Sequence, residues 1–195
     1  TACAVGEPTE CALVNFALQK GFGKQELVKD EPRIDEAPFD SMRKMMSTVH
    51  DTPRGVVQYT KGAPDEVLKK CVSYWKNGRA LPLTDAVRDE ILAANKTMAD
   101  KALRVLCAAM RSHVAAPLDH SPAALEQGLT FIGLVGMIDP VRPEVIDAIV
   151  QCRTAGIRPI MITGDHRDTA AAIALTLGII SDASETITGA QLDEI

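Results

Sequence analysis

Apolar positions recur on two different periods along this chain, and the switches between them mark its elements. Val87, Ile91, Ala94, Met98 and Ala102 recur near 3.6 residues, which predicts a long helix with Thr84 as its N-cap. Pro8 followed by Glu10 predicts a helix start, with the helix running to about Gln19. Residues 44–50 and 56–60 read as two strands around the turn Asp51-Thr-Pro-Arg-Gly55. Pro64 opens a short helix ending near Cys71, and Asn77-Gly78 places a tight hairpin turn inside residues 73–83. Residues 104–110 read as a buried strand, and residues 113–128, with Pro117, Pro122 and Gly128, as loop plus a short helix.

From Leu129 onward the pattern alternates more regularly. A strand over 129–137, a helix over 140–154, a strand over 157–162 and a helix over 167–177 follow one another, and Thr186-Ile187 reads as the start of a third strand. This order predicts a parallel sheet with helices on its faces, whose ligands sit beyond the carboxyl ends of the strands. Two polar clusters stand at those ends, Asp139-Pro-Val-Arg142 and Thr163-Gly-Asp165. The chain is therefore expected to be α/β, with a helix-and-hairpin domain over 1–128 joined to a second domain over 129–195, and no internal repeat.

Composition narrows the function classes. In 195 residues, 46% are hydrophobic and 24% charged, as in an ordinary globular chain. The net charge of −5 gives no electrostatic footprint for nucleic acid. The five cysteines, Cys3, Cys11, Cys71, Cys107 and Cys152, show no CxxC spacing, so a zinc site or disulfide framework is not indicated and a reducing compartment fits. The longest uncharged apolar runs, 129–138 and 169–181, are too short for a bilayer, which needs about 20 residues. No signal peptide is visible. The start without Met and the end inside a helix-start pattern are what an excised piece of a longer protein would show.

Each candidate motif has a chemical and an ordinary reading. In Thr163-Gly-Asp165, Thr163 can donate to an anionic oxygen, Gly164 lets a ligand approach the backbone, and Asp165 either serves a ribose or Mg2+ or simply caps the next helix. Asp139 either caps a helix or works with Arg142, whose planar fork suits a phosphate but could equally pair with Glu144. In Lys61-Gly-Ala-Pro-Asp65, Gly62 leaves the Lys61 amine accessible, either to an anionic ligand or to solvent. Aromatic residues make up only 4% of the chain, so Phe39, just before the cations Arg43 and Lys44, is either a stacking surface for a base or a core residue.

Taken together, GEPTECAL at 6–13, FDSMRKMMS at 39–47, KGAPDEVL at 61–68, ALRVL at 102–106, DPVRP at 139–143 and MITGDHRDTA at 161–170 resemble, in order and spacing, the cytoplasmic loop of P-type ATPases. The resemblance covers essentially the whole chain and is closest to type II pumps of the calcium branch. Val141 replaces the usual second proline of DPPR, and Asp65 the usual glutamate of KGAPE. The resemblance implies an antiparallel-sheet nucleotide-binding domain over 1–128 and, over 129–195, part of a phosphorylation domain of haloacid-dehalogenase-like fold.

It further implies that Glu10 and Phe39 hold adenine, Phe39 by stacking. Lys44, Lys61 and Gly62 line the nucleotide pocket, and Arg104 approaches the phosphates. Asp139 and Arg142 lie at the domain junction, Thr163 and Gly164 hold the transferred phosphoryl group, and Asp165 helps place ATP. The ligands implied are ATP or ADP with Mg2+, the metal's own ligands expected mainly outside this sequence. The transported cation, Ca2+ on this resemblance, would be bound by membrane helices that this chain does not contain, placing the chain on the cytoplasmic side of a membrane. The chemistry implied is phosphoryl transfer to a carboxylate. The family's DKTGT acceptor segment, GDGxND segment and TGE segment are absent, so this piece is expected to bind nucleotide without turning over, and the sheet of 129–195 is expected to have an unpaired edge. The competing readings are a pump for Na+/K+ or H+, a haloacid-dehalogenase-type phosphatase, against which the missing DxDx(T/V) nucleophile speaks, and a nucleotide-binding module without transport.

Overall fold

A computed structural model describes residues 5–119, 121–138, 143–164 and 167–192. The chain divides into two compact units, Thr1–Leu92 with Leu106–Met137, and Ala93–Val105 with Ile138–Ile195.

The first unit is built on a seven-stranded sheet of order β1-β2-β3-β6-β7-β4-β5. Ahead of it come two helices, α1 (Pro8–Gln19) and α2 (Lys24–Asp30). Strand β1 (Arg33–Asp40) pairs antiparallel with β2 (Met45–Thr52), and β2 with β3 (Gly55–Gly62) in an unbroken register from Met45↔Gly62 to Thr52↔Gly55. Helix α3 (Pro64–Lys70) follows, and its last carbonyls are met by the Arg88 guanidinium, 2.6 Å from Leu68 O, a cation where a helix end favours one. Next come β4 (Cys71–Lys76) and β5 (Arg79–Pro82). Their two-residue turn holds Asn77 at φ 51° and Gly78 at φ 79°, the left-handed pair that the Asn-Gly signal foretold.

Helix α4 (Asp85–Ala99) starts at Thr84, whose hydroxyl accepts from Val87 N at 3.4 Å. Strand β6 (Arg104–His113) pairs antiparallel with β3, the short α5 (Pro122–Leu125) is capped by Ser121, and β7 (Leu129–Met137) closes the sheet. The main core gathers Met45, Val67, Leu68, Cys107, Leu129 and Phe131. Burying each large aliphatic side chain stabilises the fold by roughly 1.5–3 kcal/mol. A smaller cluster of Ala37, Val49 and Leu125 lies under β1 and β2.

Two expectations for residues beyond 128 do not hold. Strand β7 does not open a second, parallel sheet: it lies in the sheet of the first unit, parallel to β4 through Cys71↔Leu129 and Tyr74↔Phe131. Nor do residues 157–162 or Thr186-Ile187 form strands. Residues 157–162 run as irregular chain, with Ile160 and Ile162 79% and 93% exposed. A strand exists through its ladder; no described segment pairs with this one, and Pro159 supplies no N–H to recruit a partner. The haloacid-dehalogenase-like sheet is thus not formed among the described residues.

The helices of that region do form. They are α6 (Pro143–Thr154), α7 (Arg167–Thr176) and α8 (Gly189–Leu192), with a 3₁₀ turn at Ala183–Glu185. The start expected for α6 at Pro140 lies outside the described residues. Gly156 at φ 77° and Gly178 at φ 66° end α6 and α7 in left-handed caps, with Ile157 N donating to Cys152 O and Ile179 N to Ala174 O, each at 2.8 Å. In this second unit α7 buries Thr169, Ala171 and Ala174, and the Thr169 hydroxyl donates to Leu103 O at 3.4 Å. Among the described residues no helix is long and apolar enough to cross a membrane.

Candidate functional site

Antiparallel pairing brings the end of β1, the start of β2 and the end of β3 to one end of the sheet, where most of the expected nucleotide contacts stand. Phe39 is the penultimate residue of β1 and is 63% exposed. It is no core residue, which removes the ordinary reading of its ring. Residues 41–44 then turn the chain into β2, Lys44 N donating to Asp40 O at 2.7 Å. Asp40 Oδ1 accepts from Met42 N and Arg43 N, both at 2.9 Å. The bend ends with Lys44 at φ 54°, a left-handed conformation unusual for a lysine, and its side chain is exposed.

Opposite this bend, Gly62 pairs with Met45 and is buried. Its φ is ordinary, so its reason is space. A Cβ there would stand 2.4 Å from Lys44 O, 2.5 Å from Met45 Cβ and 2.7 Å from Met45 Cα. The glycine of the Lys-Gly-Ala-Pro motif therefore lets β3 close on the Lys44 bend, and Ala63 N seals the junction by donating to Lys44 O at 2.9 Å.

Lys61, one residue earlier, points to the other face, paired in register with Met46. Its amine meets the Glu10 carboxylate at 2.5 Å, joining residues 51 apart in sequence. Glu10 is in the first turn of α1, where Glu7 caps the helix by accepting from Glu10 N at 3.0 Å. The pair is open to water, Lys61 30% and Glu10 51% exposed in their side chains. Such an exposed pair is worth about 0–1 kcal/mol, so it does little to hold α1 in place and leaves both groups accessible to a ligand.

The structure thus unites Glu10 with Lys61, and Lys44 with Gly62, and sets Phe39 at the strand end leading into the same bend. Arg104 is the first residue of β6 and is exposed, but belongs to the second compact unit. Thr163 and Gly164 are exposed in irregular chain before α7, also in the second unit. Asp139, Arg142 and Asp165 lie outside the described residues. Among the described residues no three of His, Cys, Asp and Glu stand together as a metal-ligand group.

Sequence reasoning missed the buried polar group beneath the bend. Glu126, whose side chain is 4% exposed, pairs with Arg43. Ser47 Oγ lies 3.5 Å from Glu126 Oε1 and 2.8 Å from Thr60 Oγ1. Gln58 Nε2 donates to Thr60 Oγ1 and to Leu125 O, each at 3.0 Å. That amide orientation leaves Gln58 Oε1 to accept from His113 Nε2–H at 3.1 Å. Burial and the neighbouring Arg111 hold the His113 pKa below its ordinary value. The only signal in the sequence was the alternation that sends every second residue of β2 and β3 inward, here polar where apolar is usual.

The family model described as P-type ATPase, cytoplasmic domain N, matches residues 2–144. The chain belongs to this family. It is 48% identical over 97% of its length to calcium-transporting ATPase 1 of Bacillus cereus and 39% identical over 97% to the calcium-transporting ATPase of Bacillus subtilis, covering 21% of each. It is also 39% identical over 90% of its length to the sodium/potassium exporting P-type ATPase cta3 of Schizosaccharomyces pombe, covering 17% of it. The chain spans about a fifth of the length of these relatives.

Proposed function

We propose that this chain is the ATP-binding portion of a P-type cation pump, and that the bend between β1 and β2 with the end of β3 is its nucleotide site. The observation that carries this reading is the meeting of Lys61 with Glu10 across 51 residues at a water-open sheet end, the end at which β1 also leaves the Phe39 ring bare. The exposed Phe39 face stacks on adenine. Glu10 accepts from a donor on the base, and Met46, opposite Lys61 in the ladder, flanks it. Lys61 and Lys44 supply positive charge towards the phosphates.

In the parent protein ATP passes its terminal phosphoryl group to an aspartate, and the aspartyl-phosphate drives cation movement across the membrane. Thr163 and Gly164 hold the transferred group there, Asp165 helps place the nucleotide, and Asp139 and Arg142 stand at the domain junction. Residues from 138 onward, which carry α6 and α7, then belong to part of the parent's phosphorylation domain. The cation is Ca2+, as the names of the two bacterial relatives suggest; the yeast relative keeps Na+/K+ as the alternative.

Calorimetric titration with ATP and ADP at low and high salt tests the site. Base stacking on a protein aromatic is worth about 1–3 kcal/mol, so Phe39→Ala weakens both nucleotides about tenfold or more at either salt. Lys61→Ala costs less at high salt than at low, because its charge acts through water. If Phe39→Ala, folded by circular dichroism, binds like the parent chain, the assignment is wrong.

A further inference from the structure

Arg43 and Lys44 are adjacent cations with opposite fates. Lys44 is exposed, whereas the Arg43 side chain is 27% exposed and pairs with the nearly buried carboxylate of Glu126. The second guanidinium nitrogen donates to Pro38 O at 2.7 Å, the carbonyl immediately before Phe39. One planar side chain therefore ties the residue preceding Phe39 and the bend ending at Lys44 to a single anchor.

The anchor is itself fixed. Glu126 follows α5, a one-turn helix whose carbonyls are held by the sheet beneath it. Gln58 donates to Leu125 O at 3.0 Å, and Arg111 to Ala124 O at 3.3 Å and Gln127 O at 3.1 Å. Ser47 closes on the Glu126 carboxylate from β2. A carboxylate this well seated does not follow a moving arginine; the arginine, and the bend with it, is held to the carboxylate. The bend needs such a hold, since Phe39 lies where the β1–β2 register shifts between Ala37 and Asp40, and Lys44 sits in a left-handed conformation.

We propose that Arg43 and Glu126 are positioning residues for nucleotide binding, a bridge beneath the site that presets Phe39 and Lys44 for a purine nucleoside triphosphate without touching it. The inference rests on the nucleotide reading above. Ordering one flexible segment before rather than during binding is worth about three- to tenfold in affinity.

The test titrates ATP into the full chain and into Arg43→Met, Glu126→Gln and the double variant, well below their melting temperatures, with Phe39→Ala alongside. Each single variant weakens ATP about three- to tenfold, and the double variant is no weaker than the worse single one, because both break the same bridge. The salt dependence of binding stays that of the parent chain. In ligand-free protein, amide exchange at Met42 and Arg43 quickens in both single variants. A role in stability alone would lower the melting temperature and leave affinity unchanged. If Arg43→Met does not fold, the nearly isosteric Glu126→Gln carries the test.

Additive losses in the double variant, or a shallower salt dependence in Arg43→Met, would make Arg43 a direct phosphate ligand and overturn the proposal. So would parental affinity in both single variants while Phe39→Ala is weakened, which would leave the nucleotide reading standing. If the unmodified chain does not bind ATP, that reading falls and the bridge's role with it.

Discussion

Replacing Gly62 by alanine adds one methyl group where the structure has no room for it. The new Cβ would lie 2.4 Å from Lys44 O and 2.5 and 2.7 Å from Met45 Cβ and Cα, whereas ordinary contact begins at 3.4 Å. The obstructing atoms are backbone and a Cβ, so no side-chain rotation relieves the clash. The β2–β3 ladder has to open by about 1 Å at the Met45↔Gly62 pair. Overpacking of this kind costs about 1–3 kcal/mol. The Ala63 N to Lys44 O hydrogen bond across the same junction is then lost or stretched, adding about 1 kcal/mol. Gly62→Ala is thus expected to destabilise the protein by about 2–4 kcal/mol, a large share of the 5–15 kcal/mol typical of a folded domain. Urea unfolding followed by circular dichroism measures it as a lower midpoint with an unchanged slope. Gly133→Ala in β7 is the control, since a Cβ there meets nothing within 4 Å, and its midpoint stays close to the parent's. A Gly62→Ala midpoint indistinguishable from that of Gly133→Ala would refute the close-approach argument.

Other perturbations have equally definite outcomes. His113 is held below its usual pKa by burial and then by Arg111, so the unfolded chain takes up this proton more readily. Its contribution to stability is full above about pH 6.5 and is lost as pH falls below that value. Between pH 7 and 5.5 the parent chain therefore loses more stability than His113→Gln; equal losses in urea titrations would contradict this. Burial pushes the Cys71 thiol up to about 11 and that of Cys107 higher still. Mass-spectrometric mapping after a thiol reagent at pH 8 is expected to find Cys11 and Cys152 labelled in native protein, and Cys71 and Cys107 only after unfolding. Rapid native labelling of Cys107 would mean that the core clustered on Met45, Val67 and Leu129 opens readily.

What the sequence disclosed depended on how local each cause was. Helix α1 begins at Pro8 and the β4–β5 turn falls on Asn77-Gly78 as expected, because a proline ring and a left-handed glycine act within their own turn. The apolar run 129–137 is a strand as expected, but an unbroken apolar run does not say which sheet receives it, and β7 pairs with β4 rather than with residues 157–162. Residues 157–162 have strand-like composition, yet pairing is a property of two segments and no described segment provides the second. At the site, the motifs themselves pointed to Lys61, Glu10 and Phe39. The division of labour between Arg43 and Lys44 was hidden, since it depends on the four-residue bend and on a carboxylate 83 positions further along.

The central claim is that ATP binds at the sheet end formed by Phe39, the Lys44 bend and Lys61 with Glu10. Amide chemical-shift mapping of the isotopically labelled chain during an ATP titration examines it most directly. The account predicts the largest shifts at residues 39–46, at Lys61, Gly62 and Ala63, and in the first turn of α1 around Glu10, with the β4–β5 turn at Asn77-Gly78 unmoved. Saturable shifts centred on that turn, or no saturable shifts at all, would contradict it.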